Sequence, residues 1–188
     1  MKRIGVLALQ GDFEKHKDTL KSLGRETVLV RTEKEMALCD GLIVPGGESS
    51  TLSKLLKKHE LWENILEFAR RRPVFGTCAG LILLSKQIIK ESVQPLGLID
   101  IVTERNAYGR QIDSFIDEID IKMSGMEFKF DGVFIRAPKI VSIGRGVTPL
   151  AWHQQNIVMV EQDNILAAAF HPELTSDTRI HEYFLDKV

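Results

Sequence analysis

Two cysteines among 188 residues are too few for a disulfide framework or a four-thiolate zinc site, so both are expected as reduced thiols. Charge of one sign is also missing. The chain sets 25 Lys and Arg against 26 Asp and Glu, a net charge of −1, which excludes a surface built throughout for nucleic acid. Such affinity rests on many cation–phosphate contacts. Long apolar runs are absent too: Ile165–Phe170 falls far short of the ~20 residues a membrane span needs. Met1-Lys2-Arg3 is followed only by Ile4–Leu9, too short for the core of a signal peptide. No Pro/Gly/Ser-rich linker, low-complexity tract or repeat divides the chain, which is therefore expected to form a single domain over residues 1–188. These absences predict a cytoplasmic protein that binds neither nucleic acid nor membrane. What is present, 44% hydrophobic and 27% charged residues, is the balance of an ordinary globular protein. A chain of this length buries roughly 70% of its unfolded surface and needs no covalent staples.

The first half alternates two periodicities. Ile4–Leu9 is a continuous apolar run, as expected of a strand covered on both faces. Asp12–Leu23 spaces Phe13, Leu20 and Leu23 at helical intervals, and Gly24 supplies a stop signal. Thr27–Val30 and Leu42–Val44 read as further strands. Leu52, Leu55, Leu56, Trp62, Ile65, Leu66 and Ala69 recur at helical spacing over two segments. Pro73–Phe75 is another buried strand, running into Gly76-Thr77-Cys78-Ala79-Gly80 and an apolar helix. Strands alternating with helices imply a parallel sheet covered on both faces. After Pro95 the texture changes: Phe115–Ile121 alternates apolar and acidic residues, and Ile140–Ile143, Asn156–Val160 and Ile165–Phe170 follow with turn residues between them. These read as mostly antiparallel strands, closed by a helix from about Ser176 with Ser176 or Thr175 as N-cap. The expected fold class is α/β, an open three-layer sheet with a parallel core and an antiparallel extension.

Chemistry concentrates at three places. Gly76-Thr77-Cys78-Ala79-Gly80 lies between a strand and a helix, where a nucleophile is held in a strained elbow and flanking glycines give the backbone room. A helix N-terminus favours the thiolate, and the amide of Ala79 points where an oxyanion would form. The pentapeptide alone does not separate this reading from a small buried cysteine in a Gly-rich turn. His171 shifts the balance. It emerges at the end of the run Ile165–Ala169, and in an extended segment Glu173, two residues on, faces the same side. Pro172 fixes the backbone between them. A carboxylate on one ring nitrogen sets the tautomer and leaves the other nitrogen to take a thiol proton. Cysteine, histidine and glutamate thus make a nucleophile–base–orienter set. Third, Pro45-Gly46-Gly47-Glu48-Ser49-Ser50 follows a strand; its two glycines let backbone amides approach a ligand, or it is simply a turn with Ser49 or Ser50 as helix N-cap. It is not a phosphate-binding Walker loop, and Gly11-Asp12 lacks the rest of a dinucleotide fingerprint. Cys39 and Trp62 are expected in the core, and Arg70-Arg71-Arg72 at a helix end, where cations favour the dipole. His16, His59, His153 and His181 lack metal-ligand spacing and are read as structural or solvated, so no metal is expected.

Together these pieces resemble the class I (triad) glutamine amidotransferases, with their flavodoxin-like sheet, and within them the glutaminase subunits of pyridoxal 5′-phosphate synthase, the PdxT family. The resemblance runs through Leu9-Gln10-Gly11-Asp12, Pro45-Gly46-Gly47-Glu48-Ser49, Gly76-Thr77-Cys78-Ala79-Gly80-Leu81, Arg105-Asn106-Ala107-Tyr108-Gly109-Arg110-Gln111, Phe134-Ile135-Arg136-Ala137-Pro138 and Phe170-His171-Pro172-Glu173-Leu174. Other triad glutaminases usually carry Gln or His-Gln after the elbow, whereas Leu81-Ile82 fits this branch; Ser50 stands where the branch commonly has Thr. The resemblance implies that Cys78 is the nucleophile, His171 the base and Glu173 its orienter, with the amides of Gly47 and Ala79 as the oxyanion hole. It also implies that Gly46, Gly47, Glu48, Arg105, Ile135 and Arg136 line a site for L-glutamine. An amino acid's α-carboxylate does call for a planar bidentate donor such as Arg105. No cofactor is implied. The implied partner is a separate synthase subunit of the PdxS family, arranged with this one as a dodecamer of heterodimers, with Gln10 and Asp12 as candidates for coupling docking to the glycine pair. Two alternatives stay open: a triad glutaminase of another pathway, and a redox-sensing protein of the DJ-1-like kind, which places a cysteine on a similar elbow.

Overall fold

Short, fully apolar segments become the middle of a large sheet. In the structure, a computed structural model, residues 2–90, 93–105 and 114–188 are described. Of the Arg105–Gln111 motif, only Arg105 lies among the described residues. The first half supplies β1 (Arg3–Leu7), α1 (Phe13–Ser22), β2 (Glu26–Val30), α2 (Glu33–Ala37), β3 (Gly41–Val44), α3 (Ser49–Lys58), α4 (Leu61–Ala69), β4 (Val74–Thr77) and α5 (Ala79–Leu84). The second supplies β5 (Ser85–Ile89), β6 (Ile99–Glu104), β7 (Ser114–Met123), β8 (Met126–Ile135), β9 (Lys139–Ile143), β10 (Thr148–His153), β11 (Asn156–Gln162) and β12 (Ile165–Ala168). A 3₁₀ turn (Pro172–Leu174) and α6 (Arg179–Lys187) follow.

The main sheet has nine strands in the order β2-β1-β3-β4-β12-β11-β10-β7-β8. From β2 to β12 all neighbours are parallel; beyond β12 they are antiparallel. Every residue of β3, β4 and β12 is buried, which is why these strands read as unbroken apolar runs. The expected class is therefore observed, parallel core and antiparallel extension included. A separate three-stranded sheet, β5-β6-β9, packs against β11. None of the described helices is long and apolar enough to cross a membrane. Trp62 and Cys39 are buried as expected, and burial pushes the Cys39 thiol up to about 11.

Several boundaries differ from the sequence reading. The apolar run after the elbow is expected to be all helix, but α5 stops at Leu84 and Ser85 starts β5, its hydroxyl bonding the Ile82 carbonyl at 2.7 Å. Helix α2 is not anticipated, although Thr32-x-x-Glu35 forms a capping box: Thr32 Oγ1 accepts from the Glu35 amide and Glu35 Oε2 from the Thr32 amide. The C-terminal helix begins at Arg179, with Thr178 rather than Thr175 or Ser176 at its N-cap position. The Thr175 hydroxyl is already used in the preceding turn, donating to the Pro172 carbonyl at 3.1 Å and accepting from the Asp177 amide at 3.3 Å.

The start of α5 presses directly on β3. A Cβ at Gly80 would lie 2.0 Å from the backbone carbonyl oxygen of Val44, a group that cannot swing aside. Gly80→Ala is therefore expected to lower the unfolding free energy by about 1–3 kcal/mol, the typical cost of overpacking a core. Urea denaturation measures this, and an unchanged midpoint would show that the two elements separate easily.

Candidate active site

The carboxyl ends of β4 and β12 bring together the elbow and the His-Pro-Glu segment. Cys78 has φ 48° and ψ −102°, a left-handed conformation that a side chain rarely adopts. Its amide donates to the Ala168 carbonyl at 2.8 Å, so the register of Thr77 against Ala168 continues one residue past the strand. The backbone is thus held in its strained turn by the neighbouring strand. The thiol is 6% exposed and lies 3.8 Å from the Ile135 carbonyl oxygen.

His171 is fixed from another direction. Its amide donates to the Val133 carbonyl of β8 at 2.8 Å, and its Nδ1 lies 2.7 Å from Glu173 Oε1. The expected pairing of His171 with Glu173 is present, but not for the expected reason. The segment is not extended: Pro172–Leu174 is one 3₁₀ turn, with proline at its first position, where a fixed φ suits helical geometry. Both side chains are buried. Burial works against charge on the imidazole, but the Cys78 hydrogen bond and the Glu173 carboxylate outweigh it and hold His171 up at about 10. Burial would raise Glu173, yet the imidazoles of His16 and His171 keep it below the usual carboxylate range.

Gly46 and Gly47 cross in front of this pair. A Cβ on Gly46 would lie 2.4 Å from His171 Cε1, and one on Gly47, whose φ is 150°, would lie 2.5 Å from Gln10 Oε1. Only glycine fits either position. The turn after β1 grips the same loop: the Asp12 amide donates to the Gly46 carbonyl at 3.3 Å and the Glu48 amide to Gln10 Oε1 at 3.0 Å. Asp12 Oδ2 also lies 3.9 Å from His171 Nδ1. Ala79 occupies the first position of α5, where an amide has no acceptor inside its own helix.

Glu48, and neither Ser49 nor Ser50, is the N-cap of α3. Its carboxylate accepts from the amides of Ser50 at 3.2 Å and Thr51 at 3.0 Å and from both hydroxyls, and the Ser50 and Thr51 hydroxyls chiefly hold it down at about 2. The Ser49 hydroxyl is buried instead, with no hydrogen-bond partner among the described residues. Arg105 Nη2 approaches Glu48 Oε1 at 3.4 Å. A cleft of ≈ 110 Å³ opens here, and Gly47, Glu48, Arg105, Ile135 and Arg136 line it together with Cys78 and His171. Arg136 reaches it through another left-handed residue, φ 43°, at the end of β8. Of the residues expected at a glutamine site, Gly46 alone is not in the lining; it backs the His171 ring. Ile82 and Ser49 line the cleft unforeseen.

His59 is exposed and His153 pairs with Asp117 at 2.8 Å, consistent with solvated and structural roles. His16 is different. It is fully buried with Nε2 3.4 Å from Glu173 Oε2. The sequence carried the signal, since His16 falls three residues after Phe13 and four before Leu20, on the stripe α1 turns to the core. Asp12, His171 and Glu173 each bring a ligand atom within 4.8 Å of the others, but the bond from His171 Nδ1 to Glu173 accounts for that cluster without an ion.

The fold superposes on solved structures of glutamine amidotransferases. A crystal structure of a glutamine amidotransferase superposes with a TM-score of 0.91 at 44% identity, over 97% of each chain. PurLQS from Thermotoga maritima shares the fold at 14% identity, with a TM-score of 0.77 over 98% of this chain and 97% of that one. The fold and site define a glutamine amidotransferase of class I. The model of the SNO glutamine amidotransferase family matches residues 6–188, and the chain belongs to that family. It is 50% identical over 187 residues to the pyridoxal 5′-phosphate synthase subunit PdxT of Thermosipho africanus, covering 99% of this chain and 98% of the relative. It is 50% identical to the PdxT of Oenococcus oeni over 183 residues, 97% and 95% of the two chains.

The cap geometry yields a test. Glu48→Ala is expected to cost about 0.5–2 kcal/mol of stability, as loss of an N-cap does. Because the folded carboxyl is depressed from 4.5 to about 2, its contribution is complete above pH 4.5 and is lost as pH falls towards 2. Denaturation at a series of pH values measures the gap between wild type and Glu48→Gln, which is expected to close over that acid range.

Proposed function

We propose that this chain is the glutaminase subunit of a pyridoxal 5′-phosphate synthase. It hydrolyses L-glutamine to L-glutamate and ammonia, and the ammonia passes to a separate synthase subunit of the PdxS family, which condenses it with ribose 5-phosphate and glyceraldehyde 3-phosphate. The observation that carries the reading is the buried 2.7 Å contact of His171 with Glu173 beside the strained Cys78. Assembly as a dodecamer of such heterodimers in the cytoplasm, with residues 1–188 as one catalytic domain, completes the proposal.

Cys78 is the nucleophile. Its sulfur attacks the side-chain amide carbon of glutamine, and the carbonyl oxygen takes up the negative charge, stabilised by the amides of Gly47 and Ala79. The thiol proton passes to His171, whose imidazolium Glu173 holds through Nδ1, and the other ring nitrogen gives that proton to the departing nitrogen, so ammonia leaves and a γ-glutamyl thioester remains. Water then attacks the thioester carbon, His171 takes its proton, and glutamate leaves as Cys78 regains its starting form. Arg105 and Arg136 suit the α-carboxylate of the substrate, and Glu48 its ammonium group. Entry of the substrate replaces the Arg105–Glu48 contact with one ligand-borne charge for each.

Gln10 and Asp12 link this chemistry to docking. Both grip the glycine loop, so a partner that moves the turn after β1 turns the Gly46–Gly47 peptide, and the Gly47 amide is aimed at the oxyanion only in one of its two orientations. Losing one such donor costs about 10²–10³ in rate, enough to keep the free subunit quiet.

Two experiments test the proposal. Cys78→Ala is expected to abolish glutamine hydrolysis, while the synthase still makes pyridoxal 5′-phosphate from ammonium salts; a glutamine-mimicking electrophile is expected to label Cys78 and spare Cys39, whose thiol burial pushes up to about 11. Labelling of Cys39, or failure of ammonium to rescue a folded complex, overturns this division of labour. Steady-state glutamate release is expected to rise when the synthase is added, and Gln10→Ala to blunt the rise. Equal activity free and bound removes the switch.

A further inference from the structure

Behind the proposed triad, on the side away from the cleft, α1 and α6 bury two imidazoles that the chemistry above does not use. His16 and His181 are both fully buried. His16 Nδ1 lies 3.0 Å from His181 Nε2, and His16 Nε2 lies 3.1 Å from Thr77 Oγ1 and 3.4 Å from Glu173 Oε2. His171 occupies Glu173 Oε1, whereas Oε2 is buried and has no hydrogen-bond partner among the described residues. The titratable groups facing His16 are Asp12 from the turn before α1, Glu173 and His171 from the segment after β12, and His181 from α6.

These contacts fix where the protons sit. Burial holds both imidazoles below their ordinary range, His181 down at about 3, so each is neutral and carries a single N–H. With His16 Nε2 bare, its lone pair would face a buried carboxylate oxygen that has nothing else to satisfy it, a costly contact. The proton therefore belongs on Nε2, where it donates to Thr77 Oγ1 and lies against Glu173 Oε2 in a 3.4 Å polar contact outside hydrogen-bond geometry. His16 Nδ1 must then accept, and His181 Nε2 donates to it. That leaves His181 Nδ1 as a bare acceptor at the end of the chain, and this atom is indeed buried without a partner among the described residues.

We infer that His16, oriented by His181, is a positioning residue for the glutaminase reaction: its ring edge, hydrogen-bonded to Thr77 Oγ1 and 3.4 Å from Glu173 Oε2, restrains the carboxylate so that it stays ionised with Oε1 aimed at His171 Nδ1. This rests on the reading of Cys78, His171 and Glu173 as a triad. Thr77 immediately precedes Cys78, so the same imidazole ties the orienting carboxylate to the strand that carries the nucleophile. Without that ring edge, Glu173 loses its second polar contact, His171 is less well held as an imidazolium, and the thiolate of Cys78 loses part of its counter-charge.

The test uses the full chain with His16→Leu, which roughly keeps the volume and removes the N–H, and His16→Gln, which offers an amide N–H in its place. The first readout is the pH dependence of Cys78 alkylation by a small haloacetamide, which needs neither glutamine nor a partner. Its midpoint is expected to move upward in His16→Leu and to stay near wild type in His16→Gln. With the synthase present, kcat for glutamine hydrolysis is expected to fall about 10–100-fold in His16→Leu with KM little changed, the loss typical of removing an outer partner of an active-site ligand. A folded His16→Leu protein with an unmoved alkylation midpoint and full kcat overturns the inference. Nitrogen-15 NMR of the wild-type histidines stands even if that variant does not fold: the expected His16 is neutral with its proton on Nε2, and a proton on Nδ1 or a charged ring overturns it. Cys78→Ala separates the two levels, because hydrolysis surviving in that variant sinks the triad reading and this inference with it, whatever His16 does.

Discussion

The parallel pairing of β4 with β12 sets the distance between the groups at the cleft. Val74 to Thr77 lie in register with Ile165 to Ala168, and each strand delivers one functional segment as it ends. Cys78 turns out of β4 into α5, and His171 leaves the end of β12 towards β8. Because both strands are buried on every residue, a slip by one position would send each side chain to the opposite packed face, against neighbours of the wrong shape. The hydrogen bond from the Cys78 amide to Ala168 then fixes the left-handed turn that a single strand could not maintain. Sheet register and nucleophile geometry are one constraint.

Burial makes the electrostatics of the site directional. Solvent would level the charges of a thiol, an imidazole and a carboxylate, but here each is enclosed and finds its counterpart in protein groups. Against burial, His171 is driven up by Cys78 and Glu173, and Glu173 down by His16 and His171, so their shared contact is one cause of both. At the rim the situation is reversed. Glu48, Arg105 and Arg136 keep some access to water, as a substrate role proposed for them would need. Glu48 joins the two regimes, since the carboxylate that caps α3 also faces Arg105.

The parallel half was legible because its strands are buried on both faces and its helices carry one apolar stripe, so each element declares its own period. The elbow and the His-Pro-Glu segment were legible because their residue types are uncommon in combination. What escaped is non-local. Nothing in the sequence says that Ser85–Ile89 pairs with Ile99–Glu104, and that strand in turn with Lys139–Ile143, to form a second sheet that begins where α5 ends at Leu84. Ser49 and Ser50 have the composition of helix caps, but the glutamate before them reaches two amides and two hydroxyls together, and that competition is invisible without coordinates. From the sequence His16 reads only as structural or solvated. Its meaning depends on a carboxylate contributed from the far end of the chain.

The strand that completes the centre of the main sheet is also its last in chain order. Take β12 away, and the parallel set would end at β4 with an open edge and the antiparallel set at β11 with another. One strand therefore joins the parallel set to the antiparallel set, and the segment that follows it carries His171 to the cleft. Without β12 the elbow at Cys78 lacks its brace and the cleft lacks its histidine, so a single strand supplies both.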